Sequence, residues 1–136
     1  MDLKQRLNAS EAASVQQLRL YLPDRNKQNE PVPNIQDWID AAVALFVEIN
    51  GGCTILPPAD GAWRTDAGLV VRERTAVVYS YITDPDEFER QFDKIARFVH
   101  LFGKSTGQES VMVEFSGGEE GKYISRAYFV NEKDYL

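Results

Sequence analysis

Two stretches of the chain place apolar residues at helical spacing, and each stripe demands a sheet to lie on. Ile35, Trp38, Ile39, Ala42, Leu45, Phe46 and Ile49 form one stripe, and Phe88, Phe92, Ile95, Val99 and Phe102 form the other. The first begins at Asn34, whose side chain is expected to accept from free amides of the first turn, with Asp37 at the positive end of the helix dipole. Asn50-Gly51 supplies a left-handed stop. The second begins at Thr83-Asp84-Pro85-Asp86-Glu87, which combines a capping residue, proline at the first helical position and acids in the first turn. Gly103 is expected to end it, leaving Lys104 to Gly107 as loop.

The runs around these helices read as strands. Leu18-Arg19-Leu20-Tyr21-Leu22 alternates with period two and stops at Pro23, with its leucines on one face. The polar, breaker-rich segment Asp24 to Pro33 is a loop. Leu69 to Ile82 is rich in β-branched and aromatic residues and is long for an average strand. Its hairpin partner is expected at Cys53 to Leu56, with Pro57-Pro58 limiting the pairing. Val111, Val113 and Phe115 alternate, the Gly117-Gly118 region turns, and Tyr123 to Val130 returns as a strand.

The resulting order is β-α-β-β-α-β plus a C-terminal strand. The expectation is an α+β fold: a ferredoxin-like antiparallel sheet with both helices on one face. Residues 1–17 read as an N-terminal arm or a short helix capped by Asn8, with Glu11 three residues on, and residues 18–136 as a single domain. A bare sheet face opposite the helices invites a ligand or a second copy of the chain, so a homodimer is expected.

At 136 residues the chain can bury a core without metal or disulfide staples, and its single cysteine cannot form an internal disulfide. The formal net charge of -6 and the lack of a Lys/Arg cluster make nucleic acid an unfavourable partner and a basic protein a favourable one. Tyr128 beside Arg126 is a thin basis for an RNA-binding sheet. The first twenty residues hold no apolar h-region and no apolar run is long enough to span a bilayer, so no membrane association and a cytoplasmic location are expected.

The turn-rich centre, Gly51 to Arg64, separates the first helix from the longest strand-like run and holds Cys53, Pro57, Pro58 and Trp63. Four segments stand out in order: Gly51-Gly52-Cys53-Thr54, Gly61-Ala62-Trp63-Arg64, Arg72-Glu73 and Gln108-Glu109-Ser110-Val111. Together they resemble an uncharacterised family of small bacterial proteins. In that family a Gly-x-Thr turn, a Gly-x-Trp-Arg segment, an acid opening the next strand and a Gln-x-Ser-Val lead-in to a late strand recur. The resemblance covers roughly residues 20–115 and implies a fold and a site position, with no established activity.

The candidate ligand-binding residues are Trp63, Arg64, Glu73, Tyr79 and Tyr81. An indole face and a guanidinium can hold an aromatic or anionic ligand, while a plainer role has Trp63 closing the core and Arg64 pairing with an acid such as Glu73. Strand parity puts Glu73, Thr75, Val77, Tyr79 and Tyr81 on one side, a group able to transfer protons if burial raises the Glu73 pKa; otherwise it is a solvated face with cross-strand ion pairs. Cys53 reads as a structural thiol and His100 as an exposed residue beside the stripe. Gln108-Glu109-Ser110 reads as polar residues that satisfy backbone groups at a loop-to-strand junction. The spacing of these residues suggests no metal site and no cofactor. The leading expectation is a non-catalytic binding or protein-interaction module. The alternative is a small enzyme or small-molecule binder with a pocket between the sheet and the Trp63 loop.

Overall fold

Alternation in the central strand sets the architecture. In β1 (Gln16–Pro23) the side chains of Leu18, Leu20 and Leu22 are almost fully buried, while Arg19 and Tyr21 face the other way. The computed structural model describes residues 1–13, 15–119 and 121–136. It is an α+β fold built on one antiparallel five-stranded sheet. Beyond β1 the elements are α2 (Ile35–Asn50), β2 (Thr54–Arg64), β3 (Val70–Tyr81), α3 (Pro85–Thr106), β4 (Ser110–Glu119) and β5 (Lys122–Asn131), with a short α1 (Leu3–Arg6) ahead of them. The strands lie in the order β2-β3-β1-β4-β5.

The register brings Leu20 opposite both Val78 of β3 and Val113 of β4, so the leucines extend sideways into a continuous apolar face. Onto this face pack Ile39, Ala42, Phe46 and Ile49 of α2 and Ile95, Val99 and Phe102 of α3. These are the two helical stripes, and burying a side chain such as Phe46 or Phe102 contributes about 1.5–3 kcal/mol. Trp38 ties the helices together, its ring edge-on to Phe102 at 5.4 Å and to Phe98 at 6.0 Å.

Several boundaries differ from the sequence expectation. Strand β2 runs through Pro57-Pro58, with a bulge between Leu56 and Ala59. It lies at the edge of the sheet, where a residue without an N–H is tolerated. The long run from Val70 is one 12-residue strand. Strand β4 continues through Gly117 and Gly118, which pair with Ile124 and Tyr123. Asp2, not Asn8, caps the N-terminal helix. Asn34 makes no side-chain cap bond, whereas the Asp84 carboxylate accepts from the amides of Asp86 and Glu87 at 3.1 and 3.2 Å.

The sharpest difference is at Gly103. Helix α3 does not stop there but continues to Thr106 and ends at Gly107, whose φ is 76°. Gly103 is small because the Tyr135 ring lies where its Cβ would be. Tyr135 in turn donates its hydroxyl to the Gln108 carbonyl at 2.9 Å, and burial raises its phenol pKa to about 12. Gly103→Ala is therefore expected to destabilise the fold by about 1–3 kcal/mol in urea unfolding. In a Tyr135→Ala background the same substitution should cost almost nothing.

Candidate functional site

The face opposite the helices is where the polar residues gather. The parity that buries Leu18, Leu20 and Leu22 turns Arg19 and Tyr21 outward, and the same alternation exposes Met112 and Glu114 between Val111, Val113 and Phe115. Pairing sets Arg19 beside both Tyr79 and Glu114, Pro23 beside Thr75, Gly61 beside Glu73, and Met112 beside Phe129. A cavity of about 320 Å³ opens on this face between Tyr21, Trp63, Glu73, Thr75, Gln108 and Ser110, with Met112 and Phe129 among its apolar walls. Clefts that hold small ligands start at roughly 300 Å³.

Glu73 is the charged centre of the cavity. The Trp63 indole N–H donates to its Oε2 at 3.1 Å, and the Thr75 hydroxyl to its Oε1 at 3.5 Å. Burial pushes the Glu73 carboxyl above the usual carboxylate range, the Trp63 hydrogen bond pulls it back in part, and the charge of Asp24 adds to the rise. Beside it the Tyr21 hydroxyl donates to Glu114 Oε1 at 3.2 Å; burial first, then the Glu114 charge, push this phenol up. Arg19 Nε lies 3.8 Å from the same Glu114 oxygen, and its guanidinium sits 5.0 Å from the Tyr79 ring centre. Tyr81 meets Tyr79 edge-on at 5.9 Å.

Of the residues singled out from sequence, Trp63 and Glu73 come together. Arg64 is exposed on the next residue of β2 and makes no ion pair among the described residues, so the Glu73 partner is the indole and not the guanidinium. Trp63 belongs to β2, not to a loop. Tyr79 and Tyr81 share the face but stand roughly 20 Å further along β3, outside the cavity, at about 3.3 Å per residue. Sequence reasoning passed over Tyr21, Arg19, Glu114, Met112 and Phe129 and gave Gln108 and Ser110 only a backbone role. The alternation around the leucines of β1 and the valines of β4 already placed four of them on this face.

Cys53 packs against the core and burial raises its thiol pKa, the opposite of an activated nucleophile. His100 is half-buried against Tyr135 and lines a second cavity of about 520 Å³ between α3 and β4–β5. That cavity is larger, but its walls are apolar, with Phe88, Phe92, Val99 and Phe115 among them, and no charged groups converge there. Among the described residues no group of three or more His, Cys, Asp or Glu could hold a metal ion, and no helix is long and apolar enough to cross a membrane.

No family model and no curated protein matches the chain. Two solved structures resemble it along nearly its whole length. One is a phage SAM lyase in complex with S-methyl-5'-thioadenosine, at 18% identity over 92% of this chain and 95% of that one, with a TM-score of 0.64. The other is a phage SAM lyase in the apo state, at 16% identity over 90% and 94% of the two chains, with a TM-score of 0.63. At this identity the likeness is one of fold. Both neighbours are enzymes, which runs against the expectation of a non-catalytic interaction module and agrees better with the alternative of a small enzyme.

The raised Glu73 pKa has a signed consequence for stability. At pH values between the unfolded carboxyl's 4.5 and its own raised value, folded Glu73 keeps a proton that the unfolded chain has released. Its contribution is fully present below the unfolded value and lost as pH rises through the folded one. Glu73→Gln should therefore gain stability over the native chain as pH rises from below 4.5 through the raised value, in paired urea titrations. A difference that does not change with pH would count against the buried-carboxyl description.

Proposed function

We propose that the cavity around Glu73 is the active site of a lyase that cleaves S-adenosylmethionine and releases S-methyl-5'-thioadenosine. The observation that carries this reading is the half-buried Glu73 carboxylate, held by the Trp63 indole in a cavity with aromatic walls, in a chain shaped like phage SAM lyase throughout. The substrate sulfur is a sulfonium cation. A carboxylate beside aromatic faces, here Glu73 with Trp63 and Tyr21, suits such a cation.

The chemistry follows from what the product retains. S-Methyl-5'-thioadenosine keeps the methyl and adenosyl groups, so the bond that breaks joins sulfur to the aminobutyryl chain. Its electron pair stays on sulfur, which leaves as a neutral thioether. A lyase adds no water, so the carbon it leaves is satisfied within the substrate, by attack of the substrate's own carboxylate or by loss of a neighbouring proton. Charge vanishes from sulfur as the bond breaks, and a cavity poor at solvating charge favours that change. Glu73 orients the sulfonium only when ionised, so substrate binding should weaken as pH falls through its raised pKa.

In this reading the strand order β2-β3-β1-β4 is the ferredoxin-like split βαβ pattern, with β5 added beside β4. Trp63, Gln108 and Ser110, which belong to the Gly-x-Trp-Arg and Gln-x-Ser-Val segments, all line this cavity, and this supports reading those segments as parts of one site. Exposed Tyr81 and Phe129 on this face favour the expected homodimer.

Purified protein incubated with S-adenosylmethionine should form S-methyl-5'-thioadenosine, followed by chromatography and mass spectrometry. Identification of the second product as a lactone or an alkene distinguishes the two routes. Glu73→Gln should raise the KM for S-adenosylmethionine by roughly 10-fold or more, because it removes the charge that holds the sulfonium in the bound substrate. A folded native chain that forms no S-methyl-5'-thioadenosine would overturn the proposal.

A further inference from the structure

One wall of the cavity is built as a reader of hydrogen bonds. Gln108 lines the cavity at the junction of α3 and β4, yet its side chain is only 2% exposed. Its amide nitrogen donates to the Arg25 carbonyl at 3.0 Å and to Thr106 Oγ1 at 3.2 Å. The Thr106 hydroxyl spends its own proton on the Phe102 carbonyl at 2.7 Å. A carbonyl can only accept, so the Arg25 contact fixes which end of the amide faces inward. Gln108 Oε1 is left as a held acceptor that takes no hydrogen bond from any described residue. Two positions on, at the first residue of β4, Ser110 Oγ is sealed from solvent and has no partner among the described residues. Such groups are costly to leave unpaired, which points to an occupant.

We infer that Gln108 and Ser110 form the edge of the cavity that recognises a 6-aminopurine base. The exocyclic amine donates to Gln108 Oε1, and the adjacent ring nitrogen accepts from the Ser110 hydroxyl once a χ1 turn brings Oγ from its sealed position into the cavity that Ser110 lines. The flat base lies among Trp63, Met112 and Phe129, which share the cavity. A 6-oxopurine presents an oxygen to Gln108 Oε1, setting acceptor against acceptor. Among the described residues no Lys or Arg lines the cavity, and Glu73 repels anions, so the base arrives on a nucleoside with a neutral or cationic 5' substituent, not on a nucleotide. The inference deepens the lyase reading and rests on it for what lies beyond the base.

The test measures binding of S-methyl-5'-thioadenosine, its inosine counterpart and AMP by calorimetry, alongside turnover of S-adenosylmethionine. The adenosine compound should bind at least about tenfold more tightly than either of the others, since each mismatch leaves a buried group unpaired or two like charges facing. Ser110→Ala and Gln108→Met should weaken adenosine binding and narrow the gap to inosine. If Gln108→Met unfolds through loss of its Arg25 bond, Ser110→Ala and the inosine compound still decide. Equal affinity for the adenosine and inosine compounds, or no binding of either, overturns the inference. Turnover with no base discrimination leaves the lyase reading intact and removes this one. Discrimination without turnover removes the lyase reading and leaves the 6-aminopurine site.

Discussion

The structure depends on the register of its central strand. Strand β1 pairs on both sides, and Leu18, Leu20 and Leu22 can meet the helices only if every residue between them faces away. A slip of one residue would bury Arg19 and Tyr21 and expose the leucines. The hydrophobic demand of α2 and α3 therefore does two things at once. It builds the core, and it delivers Arg19, Tyr21, Glu73 and Glu114 to a common face without any of them contributing to that core.

On that face the polar groups divide into a held set and an open set. Arg19, Glu114 and Tyr21 satisfy one another, and Arg19 lies over Tyr79. They form a floor that neither needs nor offers much. Glu73, Gln108 and Ser110 differ. Glu73 carries a charge that burial disfavours, and the other two present an acceptor and a hydroxyl without protein partners among the described residues. What separates this cavity from the larger apolar one under α3, where His100 Nδ1 is also without a partner among the described residues, is the Glu73 charge beside the amide and hydroxyl of Gln108 and Ser110. The support behind Gln108 reaches the C-terminus: Tyr135 docks on Gly103 and holds the Gln108 backbone, so α3, β4 and the last residues set the position of one wall.

Much of this was legible in the sequence, and the misreadings have physical causes. Both helical stripes were plain, because burial on a helix leaves a 3.6-residue period. Gly103 was misread as a stop because a glycine needed for a close approach and one needed for a left-handed cap look alike in sequence. The proline pair was misread as a strand end because edge position, which excuses proline, is a property of the assembled sheet. Trp63 and Glu73, singled out together, do meet in the fold, but Arg64 was joined to them although its exposed side chain makes no bond to Glu73. Gln108 satisfies a backbone group as expected, at the Arg25 carbonyl, but that it also lines a cavity depends on which elements lie opposite.

By itself, the sequence determined which faces are apolar and the order in which helices and strands follow one another. Those properties follow from local periodicity and residue chemistry, which need no partner to be read. The tertiary structure alone decided that Trp63 meets Glu73, that Arg25 locks the Gln108 amide, and that Tyr135 fills the space at Gly103. Each contact joins residues from different elements, and its distance is set by how two helices and five strands pack around one core. A binding site is made of such contacts, which is why the chemistry emerges only when the chain is folded.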